Sequence, residues 1–264
     1  VIHHPALLLV VGTAVVAALM FGLWVLGIRN RNFSYVDIGW SLNFVLLAAL
    51  YGTLSPGDVT RRTLIGAMFA AHGLRLGWHL ARRIIGEPEE GRYVQLRKEW
   101  GASGNLHLKF LAFFQFQALL NIVLTLPLLI ACFNLEPHLQ MLEIAAAVLF
   151  AVALSGETLA DAQLAAFKRN ATSRELVCDV GLWRYSRHPN YFFEWLIWVA
   201  YALFALASPY GWIALAMPLL MLHFLLNVTG VKATEEQALR SRGQRYREYQ
   251  RRTSRFIPWI PRRT

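Results

Sequence analysis

The chain has 264 residues, 56% of them hydrophobic and only 16% charged, with a mean hydropathy of +0.39 and a formal net charge of +10. A soluble domain carries roughly a quarter charged residues, so the composition excludes an ordinary water-soluble enzyme and points to an integral membrane protein. The basic excess would suit nucleic acid, but the lysines and arginines fall in loops between apolar runs, where membrane topology accounts for them, and nucleic acid is set aside as a partner.

The first apolar run covers about residues 5–28 and is followed by Arg29 and Arg31. It is long enough to span, and Val1-Ile-His-His lacks a charged start, so no cleavable signal peptide is expected. A second span covers 36–54 and ends in the turn Ser55-Pro56-Gly57-Asp58; a third covers 63–80. A polar loop over 81–108 leads to a fourth span at 110–133, a short polar link at 134–138 and a fifth span at 141–160. A second polar loop, 161–189, precedes a sixth span at 191–207. Ser208-Pro209 breaks it, and a seventh span at 211–228 leads into a basic tail over 229–264. Each run is near the ~20 residues needed to cross ~30 Å of hydrocarbon.

Seven spans place the termini on opposite sides. With the tail in the cytoplasm, segments 29–35, 81–109, 161–190 and 229–264 hold 23 of the 26 Lys and Arg residues; Arg61 and Arg62 face outward and Arg75 lies within the third span. That bias predicts an outside N-terminus and a cytoplasmic C-terminus. No repeat or soluble module is visible, so the expectation is one all-α transmembrane domain over 1–264, a helical bundle of about seven spans, in the inner membrane of a bacterium. On this topology Cys132 and Cys178 lie on opposite faces, which argues against a disulfide, and two lone thiols make no metal site.

The densest polar stretch is Gly181-Leu-Trp-Arg-Tyr-Ser-Arg-His-Pro-Asn-Tyr-Phe-Phe-Glu194, which packs Arg184, Tyr185, Arg187, His188, Asn190, Tyr191 and Glu194 into eleven residues between two apolar runs. Arginines alone would serve equally as a topology anchor. The added His, Asn, two Tyr and a Glu four residues after Asn190 favour a clamp for an anionic, nucleotide-like cofactor.

Ionisable residues inside spans are costly unless paired or wet, so each is a candidate. The second span opens with Tyr35, Asp37, Trp40 and Asn43, the last three sharing a face. The third carries His72, Arg75, His79 and Arg82 as one polar stripe, read either as interhelical bonding or as a cavity lining facing acids such as Asp37. Gln117 and Asn121 serve equally as helix–helix contacts. Glu157 and Asp161 close the fifth span just before Lys168 and Arg169, and His223 and Asn227 are weaker candidates. No pair of ligands has metal spacing: His72 and His79 are seven apart, about 10 Å along a helix, so no metal is expected. No Rossmann, P-loop or serine-hydrolase motif is present.

The run Asp179-Val-Gly-Leu-Trp-Arg-Tyr-Ser-Arg-His-Pro-Asn-Tyr-Phe-Phe-Glu194 closely resembles the signature of the DUF1295 membrane proteins, within the steroid 5-alpha-reductase-like superfamily. Tyr35-Val-Asp-Ile-Gly-Trp40, Gly73-Leu-Arg-Leu-Gly-Trp-His79 and Tyr249-Gln-Arg-Arg-Thr-Ser-Arg-Phe-Ile-Pro258 fit as well, so the resemblance covers nearly the whole chain. It implies a seven-helix reductase that binds NADPH from the cytoplasmic side, through a cofactor half near 140–264, and reduces an activated carbon–carbon double bond in a lipid or steroid-like substrate. Asn190 and Glu194 match the family's cofactor-binding Asn and Glu, Tyr185 a cofactor-contacting Tyr, and Asp161 an Asp near the end of the fifth helix. Lys168 stands where the steroid reductases have an Arg. Arg187 and His188 belong to a variant of the motif that the animal steroid enzymes lack.

The steroid enzymes place a Gln-Glu pair on the second helix and a Tyr on the third to polarise the enone carbonyl. This chain has no such pair; Asp37 and His79 are the nearest matches in place, so the resemblance implies a reductase without specifying a steroid as its substrate. Arg187-His-Pro-Asn-Tyr191, Glu235-Glu-Gln-Ala-Leu and Gly243-Gln-Arg-Tyr-Arg-Glu-Tyr249 also resemble the isoprenylcysteine carboxyl methyltransferases, which bind S-adenosylmethionine. The longer prefix of the motif, Glu194 and the seven-span layout favour the reductases. The expected cofactor contacts are therefore Lys168, Arg184, Arg187 and Arg251 or Arg252 on phosphates, with Asn190 and Glu194 on the nicotinamide amide or ribose. His79 or a protonated Asp37 is expected to donate to the carbonyl oxygen.

Overall fold

The structure is a computed structural model that describes residues 1–102, 104–170, 176–228 and 230–262. It is helical, with no strand among the described residues. The chain forms two compact units: residues 1–141 together with 204–213, and residues 142–203 together with 214–264.

The first unit contains α1 (Pro5–Arg29), α2 (Tyr35–Leu54), α3 (Val59–Ile84), α4 (Gly91–Gly101), α5 (Leu106–Leu124) and α6 (Leu126–Cys132). The contact between α2 and α3 is its most extensive, and small residues make it. Gly73 and Gly77 lie one turn apart on α3, against Ser41 of α2. A Cβ at Gly73 would stand 2.7 Å from the Ser41 carbonyl oxygen, and one at Gly77 2.9 Å from its hydroxyl. Such a pair lets two backbones approach where hydrocarbon supplies no hydrophobic drive. Helices α2 and α5 are joined by a buried amide pair: Asn43 Nδ2 donates to Asn121 Oδ1 at 2.8 Å, and Asn121 Nδ2 donates to the Trp40 carbonyl at 3.1 Å. Both residues thus act as interhelical glue.

At one end of this unit Asp58 caps α3 by accepting from the Arg61 backbone N–H at 2.9 Å. The Arg61 side chain is fully buried and donates to the carbonyls of Asn134, Glu136 and His138. It ties down carbonyls that no helix satisfies, a role that a count of outward charges does not reveal. The expected fourth span is two helices, because Pro127 follows Leu126 with no N–H to give and a ring that crowds the preceding turn. The polar stretch 81–108 is more than a loop, since α4 lies within it.

The second unit contains α7 (Met141–Asn170), most of α8 (Pro189–Leu206), α9 (Ala216–His223) running into a π-turn at Phe224–Val228, and α10 (Val231–Arg252), which kinks at Gly243. Among the described residues five helical stretches are long and apolar enough to cross a membrane: α1, α2, α5, α7 and the stretch Gly211–Arg252. Helices α3 and α8, the third and sixth expected spans, fall outside that set. The first carries five arginines; the second opens with Asn190 and Glu194.

Candidate functional site

In the second unit α7 and α8 meet closely at Gly156, where a Cβ would lie 2.5 Å from the Phe193 ring. Beside that contact two polar faces come together. Glu157 and Asp161 are one turn apart on α7, and Asn190 and Glu194 are one turn apart on α8. Asn190 Nδ2 donates to Asp161 Oδ1 at 3.1 Å. The Asn190 Oδ1 atom is buried and has no hydrogen-bond donor, a costly state for an amide oxygen unless something supplies one. Glu194 Oε1 accepts from the Trp198 indole at 2.9 Å.

The loop before α8 is fixed to α7 by a 3-10 turn over Gly181–Arg184. The Leu182 N–H donates to Gln163 Oε1 at 2.9 Å, and the Trp183 indole donates to the Ala160 carbonyl at 2.9 Å. Gly181 sits at φ +58°, and Gln163 lies 2.5 Å from where a Cβ would be, so conformation and space both call for glycine.

The next residues turn the other way, toward α10 and the tail. Arg187 is buried; its Nε donates to Glu235 Oε1 at 2.7 Å, and its Nη1 donates to the carbonyls of Gln250 at 3.0 Å and Thr253 at 2.7 Å. His188 Nε2 lies 3.3 Å from the same Glu235 oxygen, and its ring stacks on Tyr191 at 5.6 Å. Burial pulls the His188 imidazole below its ordinary range, against the upward pull of Glu235. Gln250 donates to Glu235 Oε2 at 3.2 Å, and the Tyr249 hydroxyl donates to the Trp183 carbonyl.

The sequence-predicted cofactor residues therefore divide. Asp161, Asn190 and Glu194 lie on the facing surfaces of α7 and α8. Lys168, Arg184 and Tyr185 are exposed, with cationic groups open to an anion in the first two. Tyr191 stacks on His188 and reaches Thr234 at 3.4 Å. Arg187 and His188 are turned to Glu235 and the tail, while Arg251 is exposed on the rim of a cavity in that tail. Glu235, Gln250 and Thr253 were missed as partners of the motif. The available signal was resemblance: Glu235 lies in the methyltransferase-like run, and Gln250 and Thr253 lie in the run over 249–258 that resembles DUF1295 proteins.

In the first unit Asp37 is held by α4. Its Oδ1 accepts from the Tyr93 hydroxyl at 2.7 Å and from the Arg92 guanidinium, while Oδ2 is buried without a donor. Burial raises the Tyr93 phenol well above its usual range, and Asp37 adds to the rise. Nearby, Glu89 accepts from the Phe33 N–H at 2.7 Å and pairs with Arg97 at 2.8 Å. Sequence reasoning missed Arg92 and Tyr93, since they lie in the stretch read as a loop. His79, the other expected catalytic residue, is exposed. Of its stripe, His72 is buried and stacks on Phe44 at 5.9 Å, whereas Arg82 lies over Trp78 at 5.6 Å.

Five long apolar helical stretches among the described residues, and a hydrogen-bonded polar face where α7 meets α8, point to a membrane protein with a candidate ligand site. The family model described as Protein of unknown function (DUF1295) matches residues 23–253, and the chain belongs to that family. No curated protein and no solved structure matches it.

Proposed function

We propose that the protein is a membrane-embedded, NADPH-dependent reductase of a carbon–carbon double bond in a lipid-like substrate. The observation that carries this reading is the Asn190 amide: Asp161 fixes its nitrogen, and its buried oxygen is left to accept. NADPH offers a carboxamide N–H and ribose hydroxyls, the donors that such an oxygen lacks, so the residues fit the cofactor. Asn190 and Glu194 would hold those groups, and Lys168 and Arg184 would meet phosphate. Tyr185 and Tyr191 would lie beside them. Arg187 and His188 act as positioning residues that fix the loop to α10. When bound, NADPH supplies a hydride.

Hydride addition to the β-carbon of an enone leaves negative charge on the carbonyl oxygen, which a donor must stabilise. The expected donors are Asp37 and His79. Both Arg92 and Tyr93 aim hydrogens at Asp37 Oδ1, so within this cluster the Tyr93 phenol is the group that carries a proton to give. The topology that goes with this reading adds α3 and α8 as spans. It makes seven in all, with the N-terminus outside and the tail in the cytoplasm of a bacterium; the Lys and Arg distribution supports it.

A second reading, an S-adenosylmethionine-dependent methyltransferase, is favoured by the bonding of Arg187 and His188 to Glu235, which brings together the runs that resemble that family. The test is retention of each cofactor by the purified protein in lipid nanodiscs. Binding of NADPH that weakens roughly tenfold in Asn190→Ala supports the reductase; retention of S-adenosylmethionine with no NADPH binding overturns it.

A further inference from the structure

We propose that the C-terminal segment, residues 251–262, is a docking site for the headgroup of an anionic phospholipid. The segment is built against the motif loop. The Arg187 N–H donates to the Ser254 carbonyl at 2.8 Å, Ser186 Oγ to the Phe256 carbonyl at 2.7 Å, and the Trp259 N–H to the Tyr185 carbonyl at 2.9 Å. Phe256 packs edge-on to Phe192 at 5.8 Å and against Trp195 at 6.1 Å. These rings belong to the first turns of α8, and the loop itself is bonded to α7 at Ala160. The tail therefore lies where α7 and α8 pass from apolar to polar sequence, the depth of lipid headgroups.

Its surface carries two kinds of group side by side. Ile257, Trp259 and Ile260 are 58%, 71% and 77% exposed. Arg251, Arg252, Arg255 and Arg262, with Trp259 and Ile260, line a cavity of about 370 Å³. The fifth lining arginine, Arg187, is already met by Glu235. Arg252 has Asp179 at 3.6 Å in an exposed pair. Among the described residues no carboxylate pairs with Arg251, Arg255 or Arg262. Bulk water suits those cations but not the bare Trp and Ile side chains, and hydrocarbon reverses the preference. An anionic lipid satisfies both: its phosphate takes the guanidinium donors, and its glycerol and upper acyl groups cover Trp259 and Ile260. A free nucleotide would answer the arginines but leave the isoleucines bare.

The test uses the full chain, delipidated in detergent and titrated with phosphatidylglycerol or phosphatidylcholine, with bound lipid counted by native mass spectrometry in the absence of any cofactor. Wild type should retain phosphatidylglycerol in preference to phosphatidylcholine. The triple variant Arg251→Gln, Arg255→Gln, Arg262→Gln should lose that retention at least fivefold, and lysines at the same three positions should restore most of it. Asn190→Ala should retain lipid as wild type does. The proposal is overturned if the triple variant holds phosphatidylglycerol normally, or if it loses NADPH affinity while lipid retention stays intact, which would make the cavity a seat for nucleotide phosphate. Because lipid is counted without cofactor, failure here leaves the reductase reading standing, and the reverse holds.

Discussion

Arg187 and Glu235 meet at 2.7 Å across 48 positions of sequence, both side chains largely removed from water. Removing one partner from such a pair strands a buried charge, at a cost of about 3–5 kcal/mol. Glu235→Ala should therefore release the tail: protease cleavage and amide exchange over residues 253–262 should rise sharply. Arg187→Gln combined with Glu235→Gln should recover part of the protection that either single change loses. Equal protection in Glu235→Ala and wild type would show that the carbonyl contacts of Arg187 alone hold the tail.

His188 makes the same attachment sensitive to acid. Its pKa in the folded protein is lowered by burial, so the released state takes up a proton first. Stability of the attachment is then constant above the ordinary histidine value, roughly 6.5. It falls as pH drops below that value toward the depressed one. Tail protection measured from pH 8 to pH 5 should decline at the acid end in wild type, and the decline should flatten in His188→Asn. A profile that is level in both would assign acid sensitivity elsewhere.

These two residues also show how much was legible. The motif from Gly181 to Glu194 stood out by density alone, and helical spacing put Asn190 and Glu194 on one face, with Glu157 and Asp161 on another. Periodicity reports which residues share a face of one helix. It carries nothing about which distant helix that face meets, so Arg187 read as a phosphate ligand when its neighbours are Glu235 and the tail carbonyls. Arg61 was counted as an outward charge for the same reason, and its buried hold on the 134–138 link has no local signal. The split at Pro127 did have one, since a proline inside an apolar run breaks the helical ladder. Helix α4 was hidden by its polarity, and Tyr93 with it.

The packing of α2 on α3 gives a third prediction. A side chain at Gly73 must displace the Ser41 backbone carbonyl, which cannot swing away as a flexible side chain would. Gly73→Val should lower stability by about 1–3 kcal/mol, read as a fall in the thermal midpoint of the detergent-solubilised protein. Gly66→Ala, on the same helix with only ordinary contact at 3.7 Å, should change it little. If the two variants melt alike, close approach at Gly73 is not what joins the helices.

The Asp37–Tyr93 hydrogen bond at 2.7 Å separates a chemical role from a structural one. Tyr93→Phe keeps the ring in its buried place and removes only the hydroxyl. As a purely structural hydrogen bond that hydroxyl is worth about 0.5–1.5 kcal/mol, which a modest drop in thermal midpoint would report. As a proton donor in the proposed reduction its loss should lower turnover by about 10²–10⁴-fold, with NADPH affinity unchanged because Asn190 and Asp161 are untouched. His79→Gln separates the two expected donors: turnover that stays intact in it, and falls in Tyr93→Phe, assigns the proton to the Asp37–Tyr93 cluster. Full turnover in Tyr93→Phe, with only the small loss in stability, would make the α4 cluster a fastening for the α1–α2 link. The donor for the carbonyl oxygen would then have to be sought at His79.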